Sequence, residues 1–281
     1  MKRNKYSFFY LLKYDFLVGV ILSWKKYFVT ACIFIISALF FNQAISVHFL
    51  NIKVGFLDYI IEIFKGVPIY IPSSYKTFSI PGIWILLFLY FFYMFNCYPL
   101  SDIHSYGQQV LLRSQKRIYW WLSKCLWLAI GIFIFYVIGY FILLLFTLGT
   151  GHTFFEMNHE VNAAVTKINT SNARTQDIFY VGILLPFIVS MAIAFIQLII
   201  SFITDSLIFG YIAIIILLVA SAYKCHPLLL GNYLMLNRNN LFISDGVSAN
   251  TGIIISIICI ALSIAIGAKK IQHYDVMASK K

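Results

Sequence analysis

Three side chains in one polar segment of the sequence could bind a metal ion. His152, Glu156 and His159 would share one face of a helix at this spacing, and two imidazoles with a carboxylate can bind zinc. The second histidine of a zinc-protease helix is missing, because no histidine follows His159-Glu160 at the required spacing. The segment is thus either a metal site or, more simply, a solvated polar loop.

No other set of residues has the composition of a catalytic centre. A Gly-Lys pair, which a phosphate-binding P-loop requires, occurs nowhere in the sequence. An acid, a base and a nucleophile do not converge in any segment, and the long apolar stretches contain no charged side chain that could relay protons. We therefore predict that the chain is not an enzyme, has no catalytic residue and binds no cofactor of its own.

Six stretches of the sequence lack Asp, Glu, Lys and Arg altogether. They are residues 27–47, 79–98, 125–149, 178–202, 206–223 and 251–268. Each has about 18 to 25 residues, enough to cross a hydrocarbon core of about 30 Å as a helix. With 61% hydrophobic and 11% charged residues, the chain also lacks the polar surface of a soluble domain. Because backbone amides in lipid must bond within their own segment, these stretches are predicted to be helical.

The net charge of +11 is distributed unevenly along the chain. If the N-terminus is cytoplasmic, 14 basic and four acidic residues lie on the inner side, and seven basic and six acidic residues lie on the outer side. The positive-inside rule accounts for this asymmetry with six spans and both termini in the cytoplasm. The basic residues therefore indicate membrane lipid, and not nucleic acid, as the partner.

These patterns predict an all-α polytopic membrane protein with one membrane domain over residues 1–281. Residues 1–26 would be a cytoplasmic part with an amphipathic elbow helix over 6–23, in which Lys13 and Asp15 interrupt the apolar run. Residues 27–268 would form the six-span bundle, and 269–281 a cytoplasmic tail. In the first outer loop, apolar residues at helical spacing predict a short interfacial helix over 56–64, packed against lipid or neighbouring spans and closed by Gly66.

The loop between the second and third spans carries the clearest local pattern. Ser105 followed three residues later by Gln108 is a capping-box pattern, which predicts a short helix from Tyr106 to about Leu112. Ser114 can cap a second helix that continues into the third span. The sequence therefore predicts a short helix held just under the bilayer on the cytoplasmic side.

This arrangement resembles the permease subunits of ATP-binding-cassette type-2 exporters. The resemblance covers the whole chain in topology and, in motif, the inner loop with Gly107, Leu111-Leu112-Arg113-Ser114, Arg117 and Lys124. The sequence departs from many members at Gln115-Lys116, where they carry a proline. In that family this loop is a coupling helix that docks in a groove of a separate nucleotide-binding subunit.

The resemblance implies partners and a docking surface. Two copies of a cytoplasmic ATPase would bind ATP and Mg²⁺, and a second copy of this chain, or a related permease, would complete the transport pathway. The residues expected to contact the ATPase are Tyr106, Gly107, Gln108, Val110, Leu111, Leu112, Arg113 and Arg117.

An uncharged pathway favours an amphiphilic or hydrophobic cargo, such as a peptide, an antibiotic or a lipid. The resemblance also implies a location in the plasma membrane of a bacterium. Since a fold does not specify its function, a membrane scaffold or assembly factor that transports nothing is the alternative.

Overall fold

The part of the chain that the structure describes is mainly helical. The computed structural model describes residues 8–48, 53–70, 78, 81–113, 116–149, 156–171 and 173–274. Within these ranges there are eleven α-helices and no β-strand. The helices are α1 (Phe8–Phe16), α2 (Trp24–His48), α3 (Phe56–Phe64), α4 (Gly82–Ile103), α5 (Tyr106–Arg113), α6 (Ile118–Gly149), α7 (His159–Val161), α8 (Thr175–Phe179), α9 (Leu185–Thr204), α10 (Leu207–Tyr223) and α11 (Ala249–Gln272).

Five of the described helices are long and apolar enough to cross a membrane. They are α2, α4, α6, the continuous helix formed by α8 and α9, and α11. The apolar helix α10 has 17 residues, or about 25 Å, and lies at the short end of the spanning range. Within the described residues, each of the six charge-free stretches lies almost entirely in one of these helices. The chain is therefore an all-α polytopic membrane protein, as predicted.

Two helices extend beyond the charge-free stretches by five or more residues at one end. α4 ends at Ile103, five residues after the predicted end of the second span, and α6 begins at Ile118, seven residues before the predicted start of the third. Helical hydrogen bonding does not stop where the apolar residues stop, because charged residues such as lysine are also good helix formers. These extensions place Asp102 and Lys124 inside helices.

The core of the bundle is built on α9 and on aromatic rings between α4 and α6. α9 packs against α4, α6, α10 and α11, and its Val189 and Ile193 are fully buried. The ring of Phe91 on α4 lies 4.8 Å from Phe135 on α6 and 5.1 Å from Phe95. Side chains therefore fill the space between these helices.

The two ends of the bundle carry different elements. α1, α5, the turn between α9 and α10, and the end of α11 lie at one end, which we call the basic end. There the Lys270 ammonium donates to the carbonyl of Ile203 at 2.9 Å, which ties α11 to the end of α9. The other end, which we call the opposite end, holds α3, α7 and two 3₁₀ turns, Leu230–Leu234 and Leu236–Arg238.

The elbow helix α1 has an unusual distribution of polarity. Its inward residues are Leu11 and Asp15, both buried, whereas Phe9 is 78% exposed. The segment that follows α1 continues this outer apolar face with Ile21 and Leu22, which are 53% and 66% exposed. A helix with its acid inward and its apolar residues outward is suited to contact with lipid.

The predicted helix in the first outer loop is confirmed as α3, and of the two expected surroundings, lipid or neighbouring spans, it packs against neighbouring helices. All of its residues except Glu62 are buried against neighbouring helices. It is followed by Gly66 in the left-handed region, with φ of 62°. A side chain at Gly66 would also collide with Met235, whose Cγ lies 2.4 Å from the position of an added Cβ.

A buried arginine holds the opposite end together without a carboxylate among its hydrogen-bond acceptors. The guanidinium of Arg238 donates to the carbonyls of Ser221 and Ala222 at the end of α10, and to Asn232 Oδ1 at 2.6 Å. Its Nε also donates to the carbonyl of Val67 at 3.1 Å. The partial negative charge at the C-terminus of a helix stabilises a cation at this position. Arg238 therefore joins three separate segments.

Replacing Arg238 with lysine should destabilise the protein by at least about 2 kcal/mol. A lysine has three donors on one atom and cannot reach acceptors spread around a planar guanidinium, and each buried acceptor left unpaired costs about 1–3 kcal/mol. Thermal unfolding of the purified protein measures the effect, with Arg174→Lys at an exposed site as the matched control. Equal unfolding temperatures for the two variants would contradict this role of Arg238.

Candidate functional site

The candidate site at the basic end is the short helix α5, which connects α4 to the segment before α6. It covers Tyr106–Arg113, so the predicted helix is confirmed and its last residue lies one position later. The ring of Tyr106 lies 4.4 Å from that of Tyr14 on α1. Gly107 has no room for a side chain, because an added Cβ would lie 2.7 Å from Asp102 Oδ2 and 2.8 Å from Trp120 Nε1. α5 is therefore held closely against three neighbouring helices.

The structure divides the predicted docking residues into an inner and an outer set. Val110 and Leu111 are 0% and 1% exposed, and Gly107 is buried with them. These three residues pack inside their own chain and do not present side chains to a partner in this conformation. That part of the predicted surface has to be corrected, because α5 uses its most apolar side chains to attach itself to the bundle.

The outer set is smaller and more polar. Leu112 is 52% exposed and Gln109 is exposed, whereas Tyr106, Gln108 and Arg117 are half-buried. The side chain of Arg113 lies outside the described residues. The Arg117 guanidinium donates to the carbonyl of Tyr274 at 2.8 Å, which ties the segment after α5 to the end of α11. The accessible face of α5 is thus centred on Leu112.

Beneath α5 lies a buried ion cluster that joins α1, α4 and α6. The Lys124 ammonium is 2.5 Å from Asp15 Oδ1 and 2.7 Å from Asp102 Oδ2, and the three side chains are at most 4% exposed. The rings of Tyr98 and Trp120 lie 4.6 Å and 5.2 Å from the same ammonium. We call these five residues the Lys124 cluster.

Neutral donors complete the hydrogen bonding of the two carboxylates. The Ser123 hydroxyl donates to Asp15 Oδ2, and the Tyr98 hydroxyl donates to Asp15 Oδ1 at 2.9 Å. The Trp120 indole donates to Asp102 Oδ2 at 2.9 Å. Burying charges is costly unless they are paired and hydrogen-bonded, so the cluster is stable only as a complete set.

Sequence reasoning missed this cluster. It counted Asp15, Asp102 and Lys124 as charges in water or headgroups, because each lies outside the charge-free stretches. One signal was available: Asp15 follows the apolar Leu11 by four residues and is the only acid in α1. An acid on that face of a helix requires an inward partner.

Removing the cation should unfold the basic end. Lys124→Met leaves two buried carboxylates facing each other, and breaking a buried ion pair in this way costs about 3–5 kcal/mol. The triple variant Asp15→Asn, Asp102→Asn, Lys124→Met removes all three charges and should recover most of that loss. Thermal unfolding of Lys124→Met and of the triple variant tests this prediction. If Lys124→Met were as stable as the wild type, the three charges would not be coupled.

The candidate metal residues lie at the opposite end. His152 lies outside the described residues, whereas Glu156 and His159 are exposed. His159 Nδ1 is 2.8 Å from the Thr170 hydroxyl. No group of three His, Cys, Asp or Glu residues in the described part of the chain could hold a metal ion. The metal site with His152 stays a prediction.

The opposite end contains a second buried charge besides Arg238. It is Asp58 on α3. Its carboxylate accepts the backbone N–H of Gly55 at 2.8 Å and of Asn158 at 3.2 Å, and the side-chain amide of Asn162 at 2.6 Å. Asp58 therefore ties α3 to the segment around α7. Burial raises the pKa of Asp58 to about 6, although these donors and the nearby His159 oppose the shift.

The contribution of Asp58 to stability should therefore fall as the pH rises. The folded state holds the Asp58 proton up to about pH 6, while an unfolded aspartate loses it near 3.8. The folded state thus binds more protons between these values, and stability decreases with pH across that window. The unfolding temperature of the wild type minus that of Asp58→Asn should be largest near pH 4. It should fall as the pH rises and be smallest above pH 6.

A matched control for this measurement is Glu160→Gln. Glu160 is an exposed acid of α7 at the same end of the bundle, and the stability of this variant should still fall between pH 4 and pH 6, as that of the wild type does. A constant difference between the wild type and Asp58→Asn from pH 4 to pH 7.5 would contradict the raised pKa.

Comparison with known proteins gives a family but no activity. No curated protein sequence and no solved structure matches the chain. The model of the family described as "Protein of unknown function (DUF2705)" matches residues 28–277, which include every helix from α3 to α11 and most of α2. The chain therefore belongs to the DUF2705 family.

Proposed function

We propose that this chain is the permease subunit of an ATP-driven exporter, with α5 as the contact to a separate ATPase. The observation that carries the proposal is the attachment of α5: a short helix between two spans, fixed by its buried residues and presenting Leu112 outward. A force applied to such a helix passes into the bundle and is not lost in a flexible loop. The resemblance of the inner loop to a coupling helix supports the same role.

The charge distribution supports the orientation that this function requires. The basic end carries Lys116, Arg117, Lys269 and Lys270 next to α5 and the end of α11. By the positive-inside rule this end faces the cytoplasm, where an ATPase could reach α5. A bacterial plasma membrane is the location that fits this arrangement. The ATPase, present in two copies, would supply the sites for ATP and Mg²⁺.

The filled interior of the bundle limits where a transport pathway could lie. Between α4 and α6 the rings of Phe91, Phe135 and Tyr136 are in mutual contact, which leaves that region without a passage. A pathway would therefore lie between this chain and a second permease, either another copy or a relative. Apolar outer faces on the helices favour a peptide, an antibiotic or a lipid as the cargo.

The same filled interior favours the second candidate function. A chain with no passage of its own could act as a membrane scaffold or assembly factor and transport nothing. The two functions differ in one requirement, since only the exporter needs an ATPase bound at α5.

Leu112→Asp should weaken binding of the ATPase by about 10- to 100-fold. Burying a leucine at an interface contributes about 1.5–3 kcal/mol, and a carboxylate at that position would be desolvated as well. Co-purification with an ABC ATPase that is co-expressed with this chain measures the effect. The matched control is Leu228→Asp, because Leu228 is 71% exposed at the opposite end.

Leu111→Asp separates docking from folding. Leu111 is buried within the chain, so its substitution should lower the unfolding temperature and the yield before any effect on binding is seen. If the wild type captures no ATPase, the exporter proposal is wrong and the scaffold is favoured. If Leu112→Asp captures as much ATPase as Leu228→Asp does, the contact is not at α5.

A further inference from the structure

A cavity at the opposite end has the features of a binding site. It has a volume of about 200 Å³ and lies between the α8 region and the N-terminus of α11. Its polar lining consists of Asp177, Tyr180, Asn239, Asn240, Ser248 and Asn250.

The first hydrogen-bond donors in this cavity are the backbone amides at the start of α11. The residue before the helix, Ser248, makes no side-chain bond to these amides. The first bond within the helix runs from the N–H of Gly252 to the carbonyl of Ser248, so the amides before Gly252 have no partner inside the helix. With 24 residues, α11 also carries the partial positive charge of a long helix at this end.

A second, independent observation concerns Asn239. This residue is 2% exposed, and its side-chain oxygen accepts the N–H of Leu241 at 3.0 Å. That bond fixes the orientation of the amide, and the amide nitrogen has no hydrogen-bond partner in the described part of the chain. A buried donor without a partner is unfavourable, and Asn239 lines the cavity, so a ligand acceptor bound at this wall would supply the missing hydrogen bond.

The charges around the cavity select the class of ligand. Asp177 would repel an anion, and none of the described residues that line the cavity is Lys or Arg. The N-terminus of α11 would repel a cation. A neutral ligand whose hydroxyls both accept from the amides and donate to Asp177 satisfies both ends of the cavity.

The remaining walls suit the carbon skeleton of such a ligand. Tyr180, Val181 and Leu241 provide apolar surface beside the polar groups. The Tyr180 hydroxyl donates to Asn250 Oδ1 at 2.7 Å, which holds both side chains at the rim. We propose that this cavity binds a neutral polyhydroxyl compound of the size of one sugar residue, either free or as the headgroup of a glycolipid.

This inference does not depend on the export function, and it is tested with the full chain in lipid nanodiscs. Detergents with maltose or glucose headgroups must be avoided, because they contain the proposed ligand chemistry. The probes are free glucose and N-acetylglucosamine, each up to about 10 mM, and nanodiscs with a monoglucosyl lipid. Acetate and inorganic phosphate are the anion probes. Ligand-detected NMR or calorimetry measures saturable binding.

Two isosteric variants locate the site. Asn239→Asp keeps the oxygen that accepts from Leu241 and replaces the unpaired donor, while Asp177→Asn removes the acceptor charge. Each should weaken sugar binding by about 10-fold or more, which corresponds to one hydrogen bond. The control is Asp245→Asn, an exposed acid in the same loop that does not line the cavity. It should bind like the wild type.

The outcomes are distinct. Binding of free sugars identifies a soluble ligand, and binding of the glucosyl lipid alone identifies a membrane glycolipid; either result supports the site if the two variants weaken it. If Asn239→Asp does not fold, as judged by gel filtration, Asp177→Asn decides the question alone. The proposal is overturned if the wild type binds neither sugar form, if it prefers acetate or phosphate, or if both variants bind like the control.

Discussion

The ammonium group of Lys124 lies between two buried carboxylates, and the arrangement of the basic end depends on that contact. Asp15 comes from α1 and Asp102 from the end of α4, so one cation joins three helices that are far apart in the sequence. The cost of burying an unpaired charge means that no member can leave the cluster alone. α5 begins four residues after Asp102, and its position follows from the same constraint.

At the opposite end, buried charges must also be compensated, but different groups compensate them. Arg238 and Asp58 are both buried, and each is compensated mainly by backbone and amide groups and not by a single counterion. Carbonyls at the end of α10 accept from the arginine, and N–H groups around α3 and α7 donate to the aspartate. These hydrogen bonds fix the segments of the opposite end to the spans, in addition to their apolar packing.

These connections relate the fold to the proposed function. A coupling helix can move a bundle only if it is attached more firmly to that bundle than to its partner. Gly107, Val110 and Leu111 provide this attachment, and the Lys124 cluster supports it from below. The face left for a partner is small and is centred on Leu112.

The sequence by itself was sufficient to predict the fold class and the main helices. In lipid, an uncharged stretch of this length satisfies its backbone hydrogen bonds as a helix. Local sequence patterns were enough to predict the short helices α3 and α5. What it did not indicate were the partners of Asp15, Asp58, Lys124 and Arg238. Each looked like a solvated charge, because a side chain is buried or exposed according to which helices pack against it, and that is a property of distant segments. The tertiary structure alone decided that Leu111 faces inward while its neighbour Leu112 faces outward. The reason is geometric, since successive residues of a helix point about 100° apart and only the packing of α5 selects the buried side.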